Sequence, residues 1–130
     1  MSSSEKPPAL AVGPVTMFGF LKRLTGSRVP GVTPQDAQEL TRQGALIVDV
    51  REPAERARIF IPGSRHVPLG DLGSADLPPG QVLICQCAGG HRSALAARQL
   101  QARGFDVRNL KGGIQAWQAA GLPTRTGSRT

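Results

Sequence analysis

Apolar positions in this chain fall into short unbroken runs, and the stretches between them carry helical spacing and charge. Ala45-Leu46-Ile47-Val48-Asp49-Val50 is nearly all apolar, the pattern of a central strand buried on both faces. Val82 to Gln86 reads the same way and follows the Pro78-Pro79-Gly80 turn signal. Ser64 to Leu69, bounded by Pro62-Gly63 and Gly70, and Asp106 to Leu110 are shorter strands. Thr33-Pro34-Gln35-Asp36 predicts a helix start, with Thr33 as N-cap, Pro34 in the first turn and Asp36 reaching back. Ala37 and Leu40 give that helix its apolar side, and Gly44 ends it. Pro53 to Arg58 is a charged helical excursion. Ala94 to Arg103, opened by Ser93 and closed by Gly104, is a further helix. Gly113 to Ala120 is the last, with Ile114 and Trp117 on one face, Gly121 as cap and Pro123 as stop. Strands alternating with helices predict an α/β fold whose parallel sheet is covered on both faces. Function in such sheets collects beyond the carboxyl ends of the strands. Cys87 and Asp49 to Arg51 fall on that rim.

The run Cys87-Ala88-Gly89-Gly90-His91-Arg92-Ser93 joins a strand end to a helix start across two glycines. That order predicts a cup of backbone N–H groups around a sulfur, which binds anions and favours the thiolate over the thiol. Cys87 is therefore the candidate nucleophile, and Ala88, Gly89, Gly90, His91 and Arg92 are the candidate anion contacts. A cation in the first helical turn opposes the dipole, so Arg92 is read as kept for an anion. His91 is read as a loop contact or an exposed side chain, since a thiolate already formed needs no general base. Cys85 lies inside the strand and is read as core, with a redox or relay role as the lesser alternative. Asp49, Arg51 and Glu52 are read as an ion-pair network that shapes the rim. A zinc site from Cys85, Cys87, His66 and His91 is formally available but geometrically awkward.

Composition narrows the partners. The 130 residues suit one domain, and the aromatics are four Phe, one Trp and no Tyr, too few for base stacking on single strands. The net charge of +7 resides mostly in the ends: Lys6, Lys22, Arg23 and Arg28 face only Glu5, and Arg125 and Arg129 face no acid. That distribution argues against a specific nucleic-acid face. The boundaries expected are a loosely attached segment 1–28, a domain 29–123 and a tail 124–130. Two cysteines at i,i+2 cannot build a disulfide framework, so a reducing, cytoplasmic setting is expected. Ala9 to Leu21 is uncharged, but Glu5-Lys6 before it and Pro14 within it disfavour a signal peptide, and the run is too short to span a bilayer. Met17 offers an alternative start. Phe18 to Leu24 could touch a membrane surface, although packing or disorder carries more weight.

Four pieces together resemble the single-domain rhodaneses. They are Asp49-Val50-Arg51-Glu52-Pro53 followed by Glu55; Ile61-Pro62-Gly63-Ser64 to Pro68-Leu69; Cys87 to Ser93, which matches Cys-x-x-Gly-x-Arg-Ser; and Gly112 to Trp117 with Gly121-Leu122-Pro123. The resemblance covers Val29 to Pro123. It implies a five-stranded parallel sheet flanked by helices on both faces, and a sulfurtransferase that works as a monomer through a Cys87 persulfide with no metal or organic cofactor. It also implies an anionic donor such as thiosulfate, and an acceptor such as cyanide, a small thiol or a protein cysteine. The loop from Cys87 to Arg92 has the six-residue length associated with sulfur transfer, whereas seven-residue relatives accommodate phosphate or arsenate. A persulfide carrier that docks on another protein is the alternative from a different class. A cysteine phosphatase or arsenate reductase is the weaker enzymatic one. Ile59-Phe60 departs from the family's usual Gly-His, which suggests a repacked turn or a hydrophobic rim for a partner.

Overall fold

A computed structural model describes residues 28–127; the segment 1–27, with Met17 and Phe18 to Leu24, and residues 128–130 lie outside it. Five strands form one sheet: β1 (Gly31–Val32), β2 (Leu46–Asp49), β3 (Arg65–His66), β4 (Leu83–Gln86) and β5 (Val107–Leu110). Their order is β1-β5-β4-β2-β3, and every pairing is parallel. The helices are α1 (Pro34–Arg42), α2 (Pro53–Arg58), α3 (His91–Ala102) and α4 (Gly113–Ala119), with a 3₁₀ turn at Leu69–Ser74.

The period-two alternation of the strands sorts their side chains into two cores. Val48, Leu83, Cys85, Cys87 and Val107 face Ala96, Ala97 and Leu100 of α3 and Leu72 of the 3₁₀ turn. Ile47, Ile84 and Leu110 face Ala37 of α1 and Ile114 and Trp117 of α4. The central strands β2 and β4 are covered on both sides, as their unbroken apolar runs require.

Local signals hold to within a residue or so. Thr33 caps α1 by accepting the Asp36 N–H at 3.1 Å; this half of the expected capping box uses the backbone of Asp36. Two differences matter. The expected strand Ser64 to Leu69 narrows to Arg65–His66, because Pro68 has no N–H to donate; the chain still bonds β2 irregularly through Val67 N–H to Asp49 O and Leu69 N–H to Val50 O. The helix expected from Ala94 begins at His91, so His91 and Arg92 are its first turn and not part of the loop. β1 is two residues long, too short to show a pattern in sequence.

The segment after Pro123 also packs. Phe60 and Arg125 form an antiparallel bridge, each N–H 2.9 Å from the other's carbonyl oxygen, and Gly127 N–H reaches Arg58 O at 3.4 Å. The Arg56 guanidinium lies 4.6 Å from the Phe60 ring centre. The Ile59-Phe60 step, read as a repacked turn or a rim for a partner, has its Phe60 backbone bridged to this chain's own Arg125, and packing continues past Pro123 to Gly127. Ending the chain at Pro123 removes the two Phe60–Arg125 hydrogen bonds and is expected to cost about 1–3 kcal/mol. Thermal unfolding followed by circular dichroism should show a melting point several degrees lower. An unchanged melting point would mean the strap contributes nothing.

Candidate active site

The strand alternation that sets β4 also aims its two sulfurs. Cys85 and Cys87 are two residues apart, so both point to the α3 face. Cys85 is fully buried, and burial first, then the neighbouring charge of Cys87, pushes its thiol up to about 12. It stays a neutral core residue. Cys87 is the first residue beyond β4, and it too is only 1% exposed, more enclosed than a loop position suggests.

What distinguishes Cys87 is its shell of hydrogen-bond partners. Gly90 takes a φ of +113°, open to glycine without strain, and this folds the chain back so that its N–H lies 3.0 Å from Cys87 Sγ. The Ser93 hydroxyl lies 3.3 Å from the same sulfur. Burial raises the Cys87 pKa, but the Ser93 hydroxyl and the N–H groups of Ser93, Gly90 and Arg92 outweigh it, and the net shift is downward. Of the two thiols, Cys87 is shifted towards the thiolate and Cys85 away from it.

Residues that the sequence reading passed over hold this shell in place. Asn109 Oδ1 on β5 accepts from the Ser93 hydroxyl at 2.6 Å while Ser93 Oγ accepts from the neutral Cys87 thiol, and the one hydroxyl proton turns to the sulfur when Cys87 ionises. The signal was available: Asn109 shares the inward face of Val107 near the carboxyl end of β5. The first turn of α4 grips the other side of the loop, with Ile114 N–H 2.9 Å from Cys87 O and Gln115 N–H 3.2 Å from Ala88 O. Gly113, at a φ of +61°, makes that approach possible, because a Cβ there would collide with both of those carbonyl oxygens.

The Arg92 side chain, read as kept for an anion, is engaged by a carboxylate of the protein itself. Its Nη1 and Nη2 bind Glu55 Oε1 and Oε2 of α2 at 2.7 and 2.8 Å. The Arg92 guanidinium beside Glu55 is the main reason that its carboxyl is held down at about 2, and Arg92 in turn is shifted upward by the carboxylate. Glu55 Oε1 also accepts the Glu52 N–H at 2.9 Å, closing a capping box at the start of α2. Asp49 is fully buried and accepts from Arg51 at 2.9 Å through both oxygens and from Arg56 at 3.2 Å; Arg56, rather than Glu52, completes that network. His91 stands exposed at the first position of α3. His66 Nε2 is 2.7 Å from Arg51 O, on the far side of β2 from β4. Among the described residues no three His, Cys, Asp or Glu gather as a metal site, and no helix is long and apolar enough to cross a membrane.

A parallel α/β sheet with a cysteine seated in an N–H cup at its carboxyl rim defines the class. The chain matches the model described as Rhodanese-like domain over residues 33–120, and it belongs to that family. It is 38% identical over 104 residues to the thiosulfate sulfurtransferase GlpE of Pseudomonas fluorescens, which covers 76% of this chain and 93% of that protein. An uncharacterised protein of Synechocystis sp. is 38% identical over 97 residues, 72% of this chain; the chain spans 54% of that protein's length. Among solved structures, the rhodanese-related protein of Thermoplasma volcanium superposes with a TM-score of 0.69 at 30% identity, covering 74% of this chain and 97% of that one.

Two measurements check the architecture. Ser93→Ala removes one hydrogen bond to a charged sulfur, worth about 1.5–3 kcal/mol, and should raise the Cys87 pKa by about 1–2 units. The pH dependence of iodoacetamide alkylation at Cys87 should move to higher pH, with less thiolate at neutrality. Gly113→Ala should lower the melting point well beyond Gly121→Ala, which has the same left-handed backbone (φ +76°) but open space around it. That control isolates the backbone strain of about 1–3 kcal/mol from the collision with the loop.

Proposed function

We propose that this chain is a sulfurtransferase that moves sulfane sulfur through a persulfide on Cys87. The observation that carries the reading is the Cys87 sulfur held by the Gly90 N–H at 3.0 Å and the Ser93 hydroxyl at 3.3 Å. The names of relatives such as the Pseudomonas fluorescens enzyme agree with it. In the first step the Cys87 thiolate attacks the outer sulfur of a donor such as thiosulfate. The sulfur–sulfur bond of the donor breaks and sulfite leaves with the electron pair, giving Cys87–S–S⁻. The negative charge stays within the N–H cup formed by the loop and the first turn of α3, with the α3 dipole behind it. In the second step an acceptor thiolate or cyanide takes the terminal sulfur and returns the Cys87 thiolate. No proton has to move in either step with an anionic acceptor.

The carboxylates near the loop favour this reading over phosphate or arsenate chemistry. Those reactions need an acid to protonate a leaving oxygen. Glu55 is held ionised by Arg92 and offers no proton, and both Asp49 oxygens are already taken up by Arg51 and Arg56. The carrier alternative is weakened at the Ile59-Phe60 step, where the Phe60 backbone is bridged to Arg125 and its ring faces Arg56. A cytoplasmic location belongs to the same reading, supported by two free thiols.

Treatment with thiosulfate should add one sulfur to the peptide carrying Cys87, as read by mass spectrometry, and cyanide should remove it as thiocyanate. Cys87→Ser should abolish both steps. Transfer retained by Cys87→Ser would overturn the reading, and so would efficient hydrolysis of an aryl phosphate by the unaltered chain.

A further inference from the structure

Arg92 contributes to the cup through its backbone while its side chain turns to α2. Its N–H is one of the groups directed at the Cys87 sulfur, so the residue is part of the cradle. The guanidinium, however, is bound at both nitrogens by Glu55, in a pair that is only partly exposed (36% for Arg92, 26% for Glu55). The other two arginines of the rim, Arg51 and Arg56, are both tied to Asp49. Each of these three guanidinium groups is already paired with a carboxylate of the protein. The cup meets an incoming anion with N–H groups and a helix terminus, and the charge of Arg92, a residue of that cup, is already paired with Glu55.

We propose that Glu55 is a specificity-determining residue: by neutralising Arg92 beside the cup, it tunes the site towards sulfane donors carrying one negative charge or none over dianionic donors. The favoured class is thiosulfonates and organic polysulfides. This rests on the sulfur transfer proposed for Cys87. The chemistry is otherwise shared. A thiosulfonate loses its outer sulfur to the Cys87 thiolate and releases a sulfinate, as thiosulfate releases sulfite. Only the charge of the donor differs. Glu55 acts through Arg92, so its role is one of positioning and charge rather than contact with the donor.

Glu55→Gln isolates that role, because glutamine still accepts from Arg92 and still completes a capping box, while the compensating charge is gone. Two ratios test it at low ionic strength. The first needs no sulfur transfer: the alkylation rate of Cys87 by iodoacetate, an anion, over that by neutral iodoacetamide. The second is kcat/KM for thiosulfate, a dianion, over methanethiosulfonate, a monoanion, with cyanide as acceptor. Each ratio differs by one unit of probe charge, so each should rise about threefold in Glu55→Gln. Both gains should vanish in Glu55→Gln/Arg92→Gln, and both should shrink at about 1 M salt, where the Debye length is about 3 Å. Ratios that stay flat or fall in Glu55→Gln would overturn the proposal, as would a gain that survives loss of the Arg92 charge. A shifted alkylation ratio in a protein that accepts sulfur from no donor would overturn the sulfurtransferase reading and leave the charge role of Glu55 standing.

Discussion

The constraint on which this structure turns is the hydrogen bonding of one buried sulfur. Removing Cys87 from water disfavours its thiolate, and burial alone would leave it as inert as Cys85 two residues earlier. The difference is made by converging N–H groups and one hydroxyl, and they converge only because the chain reverses at Gly90 and starts α3 at once. Each neighbouring element serves that reversal. β4 and β5 deliver Cys87 and Asn109 to the same face. The first turn of α4 holds the carbonyls of Cys87 and Ala88 with its own N–H groups and so fixes the start of the loop. The loop around the sulfur is thus fixed largely by backbone contacts rather than by long side chains.

Much of this was legible in the sequence, for physical reasons that can be named. Unbroken apolar runs locate β2 and β4, because a strand covered on both faces has no polar positions to spare. Cys87 was identifiable because a sulfur between a strand end, two glycines and a helix start has few other uses. What the sequence hid is of a different kind. The partner of Arg92 is Glu55, thirty-seven residues earlier, and no local pattern encodes a pairing between α2 and α3. The penalty of a cation at a helix N-terminus pointed correctly to a nearby anion. That anion is a side chain of the protein itself. Asn109 and the α4 contacts were missed for the same reason, since they depend on which strands become neighbours. The strand order β1-β5-β4-β2-β3 is not written in any one segment.

The two rim networks also divide their labour. Asp49 with Arg51 and Arg56 is tied into the backbone through Ile59 O and Ser64 O, and so welds β2 to the turn that leads to β3. Glu55 with Arg92 joins the six-residue helix α2 to the first turn of α3. α2 has no buried residue of its own, so these polar ties, together with the bridge from Phe60 to Arg125, account for its position.

The 1% exposure of Cys87 has a final consequence under the proposed reaction. A nucleophile this enclosed offers bulk solvent almost no surface, and a loaded one carries its new sulfur a full bond length farther out. The atom that meets an acceptor is then not encoded in the chain. It is a temporary extension, installed by one substrate and removed by the next, and the protein between turnovers is a socket whose working tip has been taken away.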